Sequence, residues 1–109
     1  MKFYFLNTCF ACPEQYEVYR DNGFKCCYIR LRWGSLFAEF PDIDGDIIYH
    51  YEFEDSFKGT FDNEEERNYY LREISNRLKD KIMGLSDDDI EVDFEIFTDI
   101  GDLEKRFKL

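Results

Sequence analysis

The chain has 109 residues, of which 44% are apolar and 19% aromatic, with 12 Phe and 8 Tyr. That length suits one domain with its own core, and the apolar share excludes a disordered chain of low hydrophobicity. A formal net charge of -11, from 25 acids against 14 bases, excludes a basic phosphate-binding footprint and argues against direct binding to nucleic acid or to an anionic membrane.

Lys2 to Leu6 is a short apolar run of β-forming residues and predicts a first strand. Asn7 to Pro13 carries Cys9 and Cys12, ends in proline, and reads as a loop. Gln15 to Arg20 alternates, with Tyr16, Val18 and Arg20 on one face. Asp21-Asn22-Gly23 is a hairpin signal, because Asn-Gly supplies the positive φ angles of a type I′ turn. The return strand spans Phe24 to Arg32. Alternation there puts Cys26, Tyr28, Arg30 and Arg32 on one face and Cys27, Ile29, Leu31 and Trp33 on the other. Gly34 marks the next reversal, Leu36 to Phe40 a third meander strand, and Ile47 to Phe53 another strand after a polar turn.

The helix has the strongest signal. Asp62 is placed to cap it, with Glu65 completing a capping box. Glu64, Glu65 and Glu66 lie at the positive end of its dipole, while Arg77, Lys79 and Lys81 lie toward the negative end. Tyr70, Leu71, Ile74, Leu78 and Ile82 recur at helical spacing as one apolar stripe, and Gly84 ends the helix. One stripe means one covered face, so the helix packs on the sheet. Ile90 to Phe97 then alternates, with Ile90, Val92, Phe94 and Ile96 inward and Glu91, Asp93 and Glu95 outward. The tail from Asp99 to Phe107 adds a short helical turn. The expected fold is α+β: an antiparallel β-meander of four to five strands, one long helix on one face and a late acidic strand, all in a single domain of residues 1–109.

No apolar run approaches the roughly 20 residues needed to span a membrane, and no secretory leader is visible, so a cytoplasmic location with reduced thiols is expected. Cys9 and Cys12 have zinc-knuckle spacing. A zinc set of Cys9, Cys12, Cys26 and His50 is conceivable, but neighbouring strand residues point to opposite faces, so Cys26 and Cys27 should not reach one metal together. Inert thiols with no metal and no cofactor are the expectation. Asp42-Ile43-Asp44-Gly45-Asp46 resembles part of a calcium loop, but Ile47 and Phe53 occupy the sixth and twelfth positions where glycine and glutamate belong. His50, the one histidine, has no nucleophile in a recognisable motif, and glycine-rich phosphate loops are absent. The chain is therefore not expected to be an enzyme. Arg30 and Arg32 are expected to pair with cross-strand acids such as Glu17 and Glu39.

The carboxylates form the richest pattern. Glu91, Asp93 and Glu95 make a line about 6.6 Å apart on one strand face, extended by Asp87, Asp88 and Asp89. Asp42, Asp44, Asp46, Glu52, Glu54 and Asp55 make a second acidic region. A rigid sheet carrying ordered carboxylates can imitate a phosphate backbone and enter the basic groove of a nucleic-acid-handling protein. The competing expectation is a solvated face that prevents edge pairing and keeps the chain soluble.

The string Cys12-Pro13-Glu14-Gln15-Tyr16-Glu17-Val18-Tyr19, followed by Tyr28-Ile29-Arg30-Leu31-Arg32-Trp33-Gly34 and Phe40-Pro41-Asp42, resembles a group of small uncharacterised phage and prophage proteins. They share a CPEQY opening, an LRLR-type strand and an acidic turn. The acid-rich helix start and Tyr69-Tyr70-Leu71 extend the resemblance over roughly residues 12 to 82, and none of these motifs carries a catalytic residue. The resemblance implies a phage context. Small acidic phage proteins often act on host machinery, and inhibitors of CRISPR nucleases are a populous class of them. The expected function is thus a non-enzymatic, anti-CRISPR-type inhibitor of a basic host protein, with a CRISPR effector nuclease as its most specific form. The alternatives are an interaction module that uses aromatic surface, or a small zinc-binding domain.

Overall fold

Period-two burial runs through the first four strands and sorts the apolar residues onto one face of a sheet. The computed structural model describes residues 1–11, 13–84 and 89–107. Its strands are β1 (Lys2–Cys9), β2 (Glu14–Arg20), β3 (Lys25–Arg32), β4 (Ser35–Phe40), β5 (Asp46–Glu52) and β6 (Asp93–Phe97). Its helices are α1 (Glu64–Met83) and α2 (Ile100–Phe107). The sheet order is β5-β4-β3-β2-β1-β6, so the first five strands form an antiparallel meander. β6 joins the free edge of β1 in parallel, with Phe3 beside Phe94 and Phe5 beside Ile96. The α+β class and the single long helix on the meander are as expected.

Registers place Phe5, Val18 and Cys27 in one row and Tyr16, Ile29 and Ala38 in the next. Leu71, Ile74 and Leu78 of α1 cover these rows, with Phe61 closing the margin. Each of those three helical side chains is fully buried, which contributes about 2 kcal/mol apiece. The opposite face is covered only in part. There α2 lays Leu103 and Phe107 against Leu6, Tyr4, Tyr19 and Phe97.

Several local expectations are corrected. β1 runs on to Cys9, because Asn7 pairs with Tyr16 and the ladder resumes after an irregularity at Thr8. The β2–β3 connection is not type I′. Gly23 alone has positive φ (84°), Gly23 N–H donates to the Arg20 carbonyl and Arg20 N–H to that of Phe24, which is a turn closed by a left-handed glycine. The type I′ pair is Trp33-Gly34 instead, with φ of 52° and 73°. Gly34 is required there, since a Cβ would lie 2.6 Å from the Asp55 carbonyl oxygen. The turn also rotates Trp33 out of the inward row predicted for it, leaving it exposed. The helix cap is Asn63 rather than Asp62: its side chain accepts from Glu66 N–H, while the Glu66 carboxylate accepts from Asp62 N–H. Gly84, left-handed at φ 76°, ends α1 as expected.

Candidate functional site

Strand direction decides which of the scattered acids meet. β1, β3, β5 and β6 all start at one end of the sheet, and β2 and β4 finish there. The Asp42–Asp46 turn, Asp89, Glu91 and Asp93 therefore all gather at that end, although they come from two distant stretches of sequence. Six strands span five intervals of about 4.8 Å, so the edge strand that carries Asp46 and the one that carries Asp93 lie about 24 Å apart. Asp87 and Asp88 lie outside the described residues, and the second acidic region is divided, because Glu52, Glu54 and Asp55 follow β5 to the opposite end of the sheet, beside Ser35 and Gly34.

This end is not a bare row of charge. Glu95 is held between Lys2 (3.0 Å) and Arg106. Glu91 precedes the strand, and its carbonyl accepts from the Met1 ammonium at 2.9 Å. The Asp93 carboxylate accepts from Phe94 N–H at 2.8 Å. Asp46 meets Lys81 at 3.3 Å. Asp42 accepts from Ile43 N–H and pairs with Lys25 at 3.1 Å, and these two contacts hold its carboxyl below the ordinary value. The Asp44 carboxylate, on a residue with φ of 67°, meets no cation among the described residues. The alternating outward line Glu91, Asp93, Glu95 thus becomes two exposed acids and one neutralised one.

The zinc set does not assemble. Cys26 stands level with the middle of β1, whereas Cys9 closes that strand, about 13 Å further along. Thiolates on one zinc need sulfurs 2.3 Å from it. His50 is on the other face of the sheet, stacked on Phe37 with centroids 4.5 Å apart and bonded to Glu52 at 2.7 Å. Cys12 lies outside the described residues, and among those described no group of three metal-ligating side chains converges. Cys26 and Cys27 do share one core cluster, contrary to simple alternation, because the ladder slips between Val18 and Tyr19 and makes Cys26 a bulge residue. Burial pushes the Cys26 thiol up to about 12 and the Cys27 thiol higher still, so both stay protonated and unreactive.

Arg30 and Arg32 do not find the acids expected for them. Arg30 lies between Gln15 and Phe37, and Glu17 and Glu39 flank Tyr28 instead. Glu17 goes to Lys25 at 2.9 Å, and Glu39 accepts from Asp44 N–H at 2.6 Å.

The opposite end of the sheet is aromatic. Trp33 and Phe57 pack edge to face at 6.2 Å, yet remain 62% and 78% exposed. With Arg32 and Gly59 they line a hollow of about 200 Å³. Phe10 is also exposed at this end. Alternation along β3 predicts Trp33 in the inward row, whereas the structure turns it outward beside Phe57. The only signal available was that Trp-Gly closes a two-residue hairpin.

No family model, curated protein or solved structure matches the chain. Among the described residues no helix is long and apolar enough to cross a membrane.

Proposed function

We propose that this protein is a non-enzymatic binding protein whose acidic end engages the basic surface of a nucleic-acid-handling protein. The observation that carries this reading is the convergence at one end of the sheet. Asp44, Asp46, Glu91 and Asp93 come from segments more than 40 residues apart and share a rim about 24 Å wide. A net charge of -11 steers such a rim toward a cationic partner and away from nucleic acid itself. Occupying the partner's phosphate-binding groove would make the protein an inhibitor. The phage-type resemblance in residues 12 to 82 makes a CRISPR effector nuclease the first partner to test.

The test is capture of partners at about 0.05 M and about 0.5 M salt, with screening expected to release a phosphate mimic at the higher value. Replacing Asp44, Asp46, Glu91 and Asp93 together by lysine is expected to slow association at least tenfold. A partner held equally at both salts, and indifferent to the lysine variant, would overturn the reading.

One observation favours a second reading, an interaction module working through aromatic surface. Trp33 holds a left-handed backbone conformation that a bulky residue adopts at a cost, while most of its ring remains in solvent. Trp33→Asn keeps a turn-compatible Asn-Gly pair. Loss of partner binding in that variant, with the acidic end intact, would favour the aromatic end.

A further inference from the structure

Between the ends of β1 and β2 and the first turn of α1 lies a cleft of about 240 Å³, lined among others by Asn7, Phe10, Glu14, Tyr16, Phe61 and Arg67. Its floor is built from buried polar groups. Glu14 is only 6% exposed, and its carboxylate accepts from the Tyr16 hydroxyl, the Thr60 hydroxyl (2.7 Å) and Phe61 N–H (3.0 Å). Burial and the bond to Glu14 raise the Tyr16 phenol far above its usual range, so it remains a neutral donor. Asn7 sits directly opposite Tyr16 in the β1–β2 ladder. Asn7 is 8% exposed, and its Oδ1 is left buried with no hydrogen-bond partner. Buried polar atoms in folded proteins are nearly always paired, so an orphan acceptor beside a cleft points to a missing donor.

A cation stands over the same space. Arg67 lies in the first turns of a 20-residue helix, where the dipole adds positive potential. Its Nε donates to Asn68 Oδ1 at 3.1 Å. In a chain with 25 acids, no carboxylate among the described residues lies within ion-pair reach of this guanidinium. Its terminal N–H groups form an open fork of the kind that takes a carboxylate bidentately.

We propose that this cleft binds a carboxylate monoanion bearing an adjoining amide N–H and an apolar side group, the chemistry of an N-acyl amino acid or of a peptide C-terminus. Arg67 takes the carboxylate, Asn7 Oδ1 accepts from the amide N–H, and Phe10 and Phe61 enclose the apolar group. A phosphate dianion fits worse, because Glu14 and Glu64 border the same space. The volume suits one residue-sized group and not a drug-sized ligand. This site is at the far end of the sheet from the acidic rim, and it stands or falls independently of the function proposed above.

The test is a two-dimensional amide NMR titration of the full chain with N-acetyl-leucine. Saturable shifts are expected at Asn7, Tyr16, Phe61 and Arg67, with a dissociation constant of about 1 mM or tighter. N-acetyl-leucinamide, which lacks the charge, and 4-methylpentanoate, which lacks the N–H, should each bind at least tenfold more weakly. Arg67→Gln should bind at least tenfold more weakly while its unliganded spectrum keeps the native dispersion. A tripeptide ending in leucine that binds tighter than N-acetyl-leucine would assign the site to peptide C-termini, and equal binding would assign it to free small acids. Absence of saturation, equal affinity for acid and carboxamide, or equal displacement by inorganic phosphate would each overturn the proposal. The ligand comparison uses the unaltered protein, so it holds even where a variant fails to fold.

Discussion

Lys25 sits between two carboxylates, Glu17 at 2.9 Å and Asp42 at 3.1 Å, and ties the outer face of the sheet to the β4–β5 turn. Its hydrogen bond to Glu17 and its contact with Asp42 raise the ammonium to about 12. A raised lysine gives stability that is present in full below its unfolded value of 10.5 and is lost as pH rises through about 12. The lowered Asp42 gives stability present above 3.8 and lost as pH falls through its depressed value. Lys25→Met is therefore expected to cost about 0.5–1 kcal/mol at neutral pH, the ordinary worth of a partly exposed pair. Urea midpoints of the two proteins should converge as pH drops below 3.8, where Asp42 takes up its proton. A gap that persists undiminished in acid would show that Lys25 acts through packing. At this scale the sequence was least readable. Strict alternation put Cys26 and Cys27 on opposite faces, and one slipped residue in the ladder put both in the core. Nothing local announces such a bulge, because the register of the partner strand creates it. The buried Asn7 and Glu14 were equally hidden, since their partners come from β2 and from the segment before α1.

Among the elements, α1 was legible almost to the residue. Its apolar stripe, acidic first turn and terminal glycine all point to one answer, and the structure moves only the cap by one position. Asn63→Ala should lower stability by about 1 kcal/mol, because Glu66 N–H loses its acceptor. Asp62→Ala should cost less, since the Asp62 carboxylate meets Lys58 from an exposed position. Thermal midpoints of the pair decide between the two caps, and the reverse order would restore Asp62. The strands were legible in number and face, because a half-buried meander writes its period into the chain. The turn types were not legible: Asn22-Gly23 has one positive φ in place of the expected two, and Trp33-Gly34 takes the I′ geometry. The direction of β6 was not legible. Its alternation fits a parallel or an antiparallel neighbour equally well, and the long α1 crossover is what makes the parallel pairing with β1 reachable.

For the whole molecule, the convergence of acids at one end of the sheet follows from topology and not from any segment. Their types and spacing could be read in advance. Their common location required the strand order. Surplus negative charge repels itself in the compact state, and more strongly where the acids crowd. Raising salt from about 0.02 M to about 0.5 M should therefore lift the melting temperature by a few degrees, as screening relieves repulsion faster than it weakens the surface pairs. A falling melting temperature would mean that pairs such as Lys2–Glu95 and Lys25–Glu17 outweigh the repulsion.

The pairing of β1 with β6 also has a consequence for synthesis. β1 leaves the ribosome well before β6 and finds β2 directly across a short connection, but its other side waits for Asp93–Phe97. Until translation reaches those residues, the newborn chain shows an aromatic strand, Lys2–Cys9, with one row of backbone groups unpaired. The late strand β6 is thus the one that shields β1, and a chain cut short before residue 93 would keep that sticky edge.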